Sequence, residues 1–371
     1  METEVKKICH VTSVHPRYDG RIFRKMCVSL ANKGYNVVLL CMDGKGDEFI
    51  DGVQISSVKY TPKNKIDRIL NSSKKLLQSA LAVDADLYHL HDPELLFLGE
   101  KLIKYGKKVI FDAHEDYKES LKEKEWALKI FNPIISAVYG IIEKRILKMM
   151  SAVISVTPHI VDRLSTINAK TYMVTNYPIV KPKKLVKKGD SEGCYYICFA
   201  GGLSRQWCHH NVIRALENIN GVKYLVAGKN NAYFESLKEE KGYEKVEYIG
   251  QIPFSELENK VYDRSIVGIA LNDYVMNVGG KKGSLGNTKL FEYMAYGLPV
   301  ICTDFDLWKE IVEGENIGVC VDPNDVQQIK NAIEKMISSP ELREEMAKNA
   351  FSAVNADYSW SSQAEILFGI Y

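Results

Sequence analysis

Residues Gly279 to Ile301 read Gly-Gly-Lys-Lys-Gly-Ser-Leu-Gly-Asn-Thr-Lys-Leu-Phe-Glu-Tyr-Met-Ala-Tyr-Gly-Leu-Pro-Val-Ile, a glycine-rich loop that runs into a helical pattern. Backbone amides of Ser284, Leu285 and Gly286, a helix start capped by Asn287 or Thr288, and the ammonium groups of Lys281, Lys282 and Lys289 can together cradle a diphosphate. Glu292 falls one turn beyond Thr288 and Lys289 on the same helix face. A carboxylate there can accept hydrogen bonds from vicinal ribose hydroxyls. Its plainer reading is an ion pair with Lys289 on a solvated face.

Three further polar stretches lie in the first third of the chain. Val14-His-Pro-Arg-Tyr-Asp-Gly-Arg-Ile-Phe-Arg-Lys25 leads from a strand into a helix. Gly20 permits a tight turn there, and His15, Arg17 and Arg21 suit a phosphorylated or acidic ligand. It is not a GxGxxG pattern, which weakens nicotinamide and flavin readings. In Asp86-Leu-Tyr-His-Leu-His-Asp-Pro-Glu94 the strand alternation puts His89 and His91 on one face, and Pro93 opens a helix after Asp92. Phe111-Asp-Ala-His-Glu-Asp-Tyr117 follows the next strand, so His114 and Glu115 are expected at the same sheet edge. Histidines and carboxylates are the usual metal ligands, but neither spacing matches a ligand pattern, and a metal-free polar pocket is expected. Asp304 and Asp306 are read as a turn.

The elements that must position these residues alternate. Strands are expected at Ile8–Val14, Asn36–Cys41, Leu87–Leu90, Lys108–Phe111, Ala152–Val156 and Thr171–Val174, with helices near 21–33, 65–82, 93–105, 133–150 and 158–167. A lysine-rich stretch with Pro and Gly, 181–194, reads as a linker. The rhythm then resumes with strands at Tyr195–Ala200, Val222–Ala227, Val246–Ile249, Ile266–Leu271 and Pro299–Thr303. Helices follow near 208–218, 254–262, 288–296, 324–338, 340–354 and 358–371. The expectation is an α/β protein of two doubly wound parallel sheets, residues 1–180 and 195–357. Ligands would lie at the C-terminal edges of the strands, in a cleft between them.

The composition is that of an ordinary globular chain: 371 residues, 46% hydrophobic, 26% charged, net charge +2. That average hides an asymmetry. Residues 1–190 carry 32 basic and 22 acidic residues, whereas 191–371 carry 17 and 25. The first half is therefore +10 and the second −8, and no general nucleic-acid binder is expected. Eight cysteines without a CxxC pair sit in apolar runs and read as buried thiols of a reducing compartment. No stretch reaches the ~18 apolar residues of a membrane span, and a cytoplasmic protein is expected.

With these residues in place a family resemblance is plain. Asn287-Thr-Lys-Leu-Phe-Glu-Tyr-Met-Ala-Tyr-Gly-Leu-Pro-Val-Ile301 resembles the donor-binding signature of the retaining glycosyltransferases of the two-Rossmann-domain (GT-B) type, family 4, also called glycosyl transferases group 1. HVTSVHPRYDGRIFRK, FAGGLSR and VCVDPNDVQQIKNAIEKMISSPELREEM, with the terminal YSWSSQAEILFGIY, are similar to that family in the same order. The resemblance implies that Glu292 binds the nucleotide ribose and that His114 contacts the donor sugar beside the reacting carbon. It implies that Gly20, Gly201 and Gly202 lie near the diphosphate, and that Gln251 and Ile252 belong to the segment holding the base. The helix around Trp360 is implied to return to the N-domain. Ser284 stands where the family usually has a first glutamate. Gly202 and Trp207 stand where it has basic residues, which leaves Arg205, Lys281, Lys282 or Lys289 to meet the diphosphate. Cys208-His-His210 stands in place of the glycine that usually follows the basic residue.

The activity so implied is transfer of a hexosyl group from a nucleoside diphosphate sugar, a UDP-sugar first among them, to a hydroxyl of a lipid-linked saccharide or surface polysaccharide precursor. The sugar nucleotide is a co-substrate, and neither cofactor nor metal is expected. His15, Asp19, Arg21, His89, His91, Asp92 and Glu115 are the candidates for the acceptor side. The basic first half suggests peripheral contact with an anionic membrane at the inner face of the cell membrane. Two alternatives stay open: a non-catalytic sugar-nucleotide-binding partner subunit, and an epimerase or hydrolase on the same fold.

Overall fold

Uncharged runs of valine, isoleucine and leucine bury on both faces, the pattern of parallel strands covered by helices on either side. Asn36–Cys41 is such a run, buried from its second residue onward, and Lys108–Ala113 is buried likewise but carries one charge inward, Asp112. In the computed structural model, which describes residues 6–60, 63, 65–123, 132–181, 193–275 and 279–371, the chain forms two units. One comprises Met1–Asn176 with Ser361–Tyr371, the other Tyr177–Trp360.

The first unit holds β1 (Lys7–Thr12), β2 (Asn36–Cys41), β3 (Glu48–Ile50), β4 (Val53–Ser57), β5 (Leu87–Leu90), β6 (Lys108–Ala113), β7 (Ala152–Ser155) and β8 (Thr171–Met173). They pair in the order β3-β4-β2-β1-β5-β6-β7-β8, parallel throughout except for the antiparallel β3–β4 pair. The direction of winding reverses between β1 and β5, where doubly wound sheets take their ligands. The register across that switch point sets His10 beside His89.

The second unit holds β9 (Tyr195–Ala200), β10 (Val222–Ala227), β11 (Val246–Tyr248), β12 (Val267–Ala270), β13 (Val300–Thr303) and β14 (Gly318–Val321) in the order β11-β10-β9-β12-β13-β14, all parallel. This is the Rossmann order, with its switch point between β9 and β12. Two apolar layers cover it: Val267 and Ile269 of β12 belong to one with Phe199 and Tyr224, whereas Ala270 belongs to the other with Phe291, Tyr293 and Trp308. Gly268 lets the Tyr293 ring lie on the sheet, since a Cβ there would be 2.3 Å from it. That close approach seats the helix carrying Glu292.

The expected pair of doubly wound sheets is thus present, with corrections. The β3–β4 hairpin and edge strand β14 were not expected. Nor were helices Tyr117–Glu123 and Asp306–Gly314, the second of which replaces the turn expected at Asp304 and Asp306. The units divide at Asn176 and Tyr177, ahead of the expected linker, because the Tyr177 ring packs on Phe291 and Tyr358 of the second unit at 4.6 and 5.6 Å. Residues 182–192 of that linker lie outside the described residues. The terminal helix, Trp360–Ile370, belongs with the first unit from Ser361 onward, and Gln363 Oε1 accepts a hydrogen bond from the Thr175 amide at 2.8 Å. No helix among the described residues is long and apolar enough to cross a membrane.

Candidate functional site

In the second unit the chain leaves β9 at Gly201 and Gly202, on the side of the switch point. The Lys289 stem lies against this loop: a Cβ on Gly201 would be 2.9 Å from Lys289 Cε and 3.3 Å from the Phe199 ring. Lys289 Nζ donates to Glu292 Oε2 at 2.7 Å, and Thr288 Oγ1 donates to Glu292 Oε1 at 2.9 Å. The pair that the plainer reading foresaw is therefore formed, on a largely buried carboxylate rather than a solvated face. The Tyr262 hydroxyl also donates to Glu292 Oε2, at 3.4 Å. Asn287 Oδ1, not Thr288, accepts the Lys289 amide at 3.2 Å. The helix that follows has only seven residues, Lys289–Ala295, so side-chain cations rather than a helix dipole carry the positive charge.

Around this centre the remaining donor-side candidates divide by role. Lys281 is engaged with Asp304 at 2.6 Å and with the Tyr274 ring at 4.6 Å. Arg205 and Lys282 have no ion pair among the described residues. Ser284 is structural: its hydroxyl accepts the Gly286 amide at 3.0 Å and its carbonyl accepts Trp308 Nε1 at 2.9 Å. Leu285 points into the core, so only its backbone can face a ligand. Gln251 and Ile252 follow Gly250, whose carbonyl accepts the Gly228 amide at 2.9 Å. Gly228 escaped the sequence reading, yet a Cβ there would lie 2.3 Å from the Gly201 carbonyl oxygen.

In the first unit, the loops after β1, β5 and β6 line a cavity of about 400 Å³ whose walls include His15, His91, Asp92, Asp112, His114 and Glu115. His15 Nδ1 lies 2.8 Å from Asp92 Oδ1, and Thr12 Oγ1 and the Ser13 amide donate to Asp92 Oδ2 at 2.9 and 2.6 Å. Burial opposes charge on both partners. The contact nevertheless raises the His15 pKa, and with the Ser13 amide and Thr12 hydroxyl it holds Asp92 at about 2. The His114 side chain is 23% exposed, with Nε2 held 3.1 Å from Asp112 Oδ2. Its other ring nitrogen is left for the cavity.

Beneath the cavity is a layer that the sequence reading assigned differently. Asp112, absent from the candidates, is fully buried and accepts from Arg21 Nε at 2.9 Å and Nη2 at 2.8 Å; Arg21 Nη1 donates to the Val174 carbonyl at 2.8 Å. Arg21 is thereby spent inside the unit and does not meet an acceptor. Arg17 is spent likewise on Asp43 and Glu48. Asp19 Oδ1 caps the backbone amides of Arg21 and Ile22 at 2.8 and 2.9 Å. At Gly20 a Cβ would meet nothing within 4 Å and φ is not positive, so the chain itself does not require glycine there. His89 is fully buried in a cluster with His10, His91 and Tyr371, and cannot reach an acceptor. A strand that ends in a charge, as FDA does at Asp112, was the available signal for this layer.

Two family models match the chain. One described as Glycosyltransferase Family 4 matches residues 20–176, and one described as Glycosyl transferases group 1 matches residues 180–353. Between them they span most of its length. The chain belongs to the group 1/family 4 glycosyltransferases. Similar structures have the same GT-B fold: sucrose-phosphate synthase from Thermosynechococcus elongatus, at TM-score 0.77 and 17% identity over 99% of this chain and 98% of that one; and Anabaena HepE in complex with UDP and glucose, at TM-score 0.71 and 13% identity over 98% of each. An 82-residue stretch is 33% identical to alpha-D-kanosaminyltransferase from Streptomyces kanamyceticus, covering 22% of this chain and 21% of that protein. The match thus spans about a fifth of that curated relative's length.

At Cys208 the backbone takes a conformation that favours glycine. Cys208 has φ 51° and ψ 28°, in the left-handed region, at the start of helix His209–Leu216. The thiol is buried in the apolar layer that includes Phe199 and Val212.

Proposed function

We propose that this chain transfers a hexosyl group from a nucleoside diphosphate sugar, with UDP as the first candidate, to a hydroxyl of a lipid-linked saccharide or surface polysaccharide precursor, with retention of configuration. The observation that carries the reading is the convergence of the Gly201 loop, Lys289 and Glu292 beside the β9/β12 switch point, where the Glu292 carboxylate would meet a ribose and the Lys289 stem lies against the glycine loop. A similar protein named as a kanosaminyltransferase and a similar structure holding UDP and glucose favour this reading.

Negative charge grows on the departing diphosphate as the glycosidic bond opens. Lys289, Arg205, Lys282 and the loop amides stabilise it, without a metal on the diphosphate. Removing one such donor typically costs ~10²–10³ in rate. Same-face attack lets the departing phosphate take the acceptor proton, so no side-chain nucleophile is assigned. The resemblance assigns His114 to the donor sugar, and in the first-unit cavity His15 and Glu115 are the groups for acceptor hydroxyls, with Asp92 holding the His15 ring.

Thermal stabilisation by UDP-, GDP-, dTDP- and ADP-sugars, together with slow donor hydrolysis, tests the proposal. At least one should stabilise the protein, and stabilisation by none would overturn the reading. Binding without turnover on any acceptor extract would favour the partner-subunit alternative.

Peripheral binding to an anionic bilayer from the cytoplasmic side is part of the proposal. On helix Asn132–Leu147, Ile134, Val138 and Ile141 are 60, 52 and 71% exposed along one stripe, and exposed Lys144 and Lys148 follow. Lys124 and Lys129 of the basic half lie outside the described residues. Apolar insertion with nearby lysines suits such a surface, at ~1 kcal/mol per basic residue. Liposome binding that is absent at low salt, or indifferent to salt, would remove this element.

A further inference from the structure

The cluster at the β1/β5 switch point contains three imidazoles whose nitrogens divide into two sets. His91 Nδ1 faces Asp112 Oδ2 at 3.3 Å, His10 Nε2 faces the Tyr371 hydroxyl at 3.1 Å, and His89 Nδ1 meets the same hydroxyl. One nitrogen of every ring is thus held from outside the cluster. Of the other three, His10 Nδ1 and His91 Nε2 are 2.9 Å apart, and His89 Nε2 is buried with no partner among the described residues. One ring nitrogen from each histidine lies within 4.8 Å of those of the other two, and the ring centroids are 4.5, 4.7 and 5.2 Å apart.

A proton count shows what this arrangement lacks. His91 Nδ1 lies 3.3 Å from both Asp112 Oδ2 and His114 Nε2, and with the carboxylate as its partner the ring is assigned the Nδ1–H tautomer, which makes its Nε2 a bare lone pair. His10 Nδ1 must then donate to that lone pair, so its Nε2 takes the Tyr371 proton. Tyr371 oxygen in turn accepts from His89 Nδ1. Every hydrogen bond is satisfied except one: His89 Nε2 is a lone pair sealed from water, which costs free energy unless something binds it.

We propose that His10, His89 and His91 form a structural site for a divalent transition metal, zinc first, coordinated by one nitrogen of each ring. Small rotations of the rings bring the three lone pairs onto one ion at the 2.0–2.1 Å usual for zinc–imidazole bonds. The proton now on His10 Nδ1 moves to Nε2, His10 Nε2–H and His89 Nδ1–H both donate to the Tyr371 oxygen, and the Tyr371 hydroxyl proton, no longer accepted by His10, is released as the metal binds. Asp112, His91 and the ion then make the carboxylate–histidine–metal arrangement that orients such ligands. A fourth position remains for a small oxygen ligand. The alternative trio of His91, Asp112 and His114 is the poorer site because both Asp112 oxygens are already engaged by the Arg21 guanidinium. Imidazole ligands favour Zn, Cu and Ni over Mg or Ca.

The site is separate from the donor reading and survives or fails without it. The test is to strip the full chain with a chelator, then titrate Zn²⁺ and Co²⁺. One equivalent of Zn²⁺ and the visible absorption of four-coordinate Co²⁺ are expected. X-ray absorption of the zinc form should show at least three nitrogen ligands. His89→Ala should lose the stoichiometric site, while Tyr371→Phe should keep it with about 10–100-fold weaker affinity. Zinc well below one equivalent, fewer than three nitrogen ligands, or full retention by a folded His89→Ala would overturn the proposal. Should His89→Ala not fold, the wild-type stoichiometry and nitrogen count decide it.

Discussion

Arg21 and Asp112, 91 positions apart, meet in a two-pronged ion pair sealed inside the first unit, with the guanidinium also anchored on the Val174 carbonyl. This pair ties the segment after β1 to the ends of β6 and β8, and Asp112 in turn holds His91 and His114. Breaking such a pair from one side leaves a lone buried charge, which costs about 3–5 kcal/mol. Arg21→Met should therefore lower unfolding free energy by about that amount in urea titrations. Replacing both partners by apolar residues, Arg21→Met with Asp112→Leu, should recover part of the loss. A single variant within about 1 kcal/mol of wild type would show the pair to be weak.

The histidine cluster should make the protein sensitive to mild acid. Burial lowers the pKa of His10, His89 and His91 below the usual imidazole range. A lowered pKa in the folded state means that the unfolded chain takes up these protons first. Stability from the three rings is full above about pH 6.5 and falls below it, by up to about 1.4 kcal/mol per pH unit for each ring. His15, whose pKa is raised, works in the opposite direction and offsets part of this. Unfolding midpoints measured with chelator between pH 7.5 and 5 should drop steeply, long before ordinary carboxylates titrate.

Glu292 and Gly201 offer a paired test of the donor centre. Glu292→Ala removes the acceptor oxygens and should weaken UDP binding by more than about tenfold, since an unmatched hydrogen bond to a charged group is worth about 1.5–3 kcal/mol. Gly201→Ala touches no ligand directly but pushes Lys289 away, and should raise the donor KM with little change in thermal midpoint. Unchanged nucleotide affinity in Glu292→Ala would remove that residue from the ribose.

At Cys208 the left-handed backbone predicts an order among substitutions. Cys208→Val should destabilise by roughly 1–2 kcal/mol or more, because a β-branched side chain is poorly accommodated at positive φ. Cys208→Gly relieves the backbone while giving up a small buried thiol, and should lie within about 1 kcal/mol of wild type. Thermal midpoints of the two variants measure the difference.

Much of the architecture was legible because parallel strands announce themselves: NVVLLC, VKYLVA and YYICFA are apolar runs of strand length, and β2, β9 and β10 occupy the expected residues. The β3–β4 hairpin was missed although its turn carries Asp51-Gly52, both at positive φ, a dipeptide that favours such turns. Its strands are only three and five residues long, so the brief alternation of VQISS did not stand out. The polar stretches after β5 and β6 were expected at one sheet edge, and the loop after β1 joins them there. Which of their residues face outward was not legible. Arg17, Arg21 and His89 turn inward because distant partners, Asp43, Asp112 and Tyr371, claim them, and no local spacing reveals a partner that far along the chain.

The terminal helix adds a constraint in time. Gln363 completes the backbone hydrogen bonding of Thr175, and Tyr371 closes the histidine cluster built from β1 and β5. On a ribosome the first unit's strands emerge early, but their last partners follow only after the whole second unit has been made. Domains generally fold as they are synthesised, and here the earlier one must wait with its switch point open. The second unit can finish first, and the final eleven residues then act as a latch on the older half.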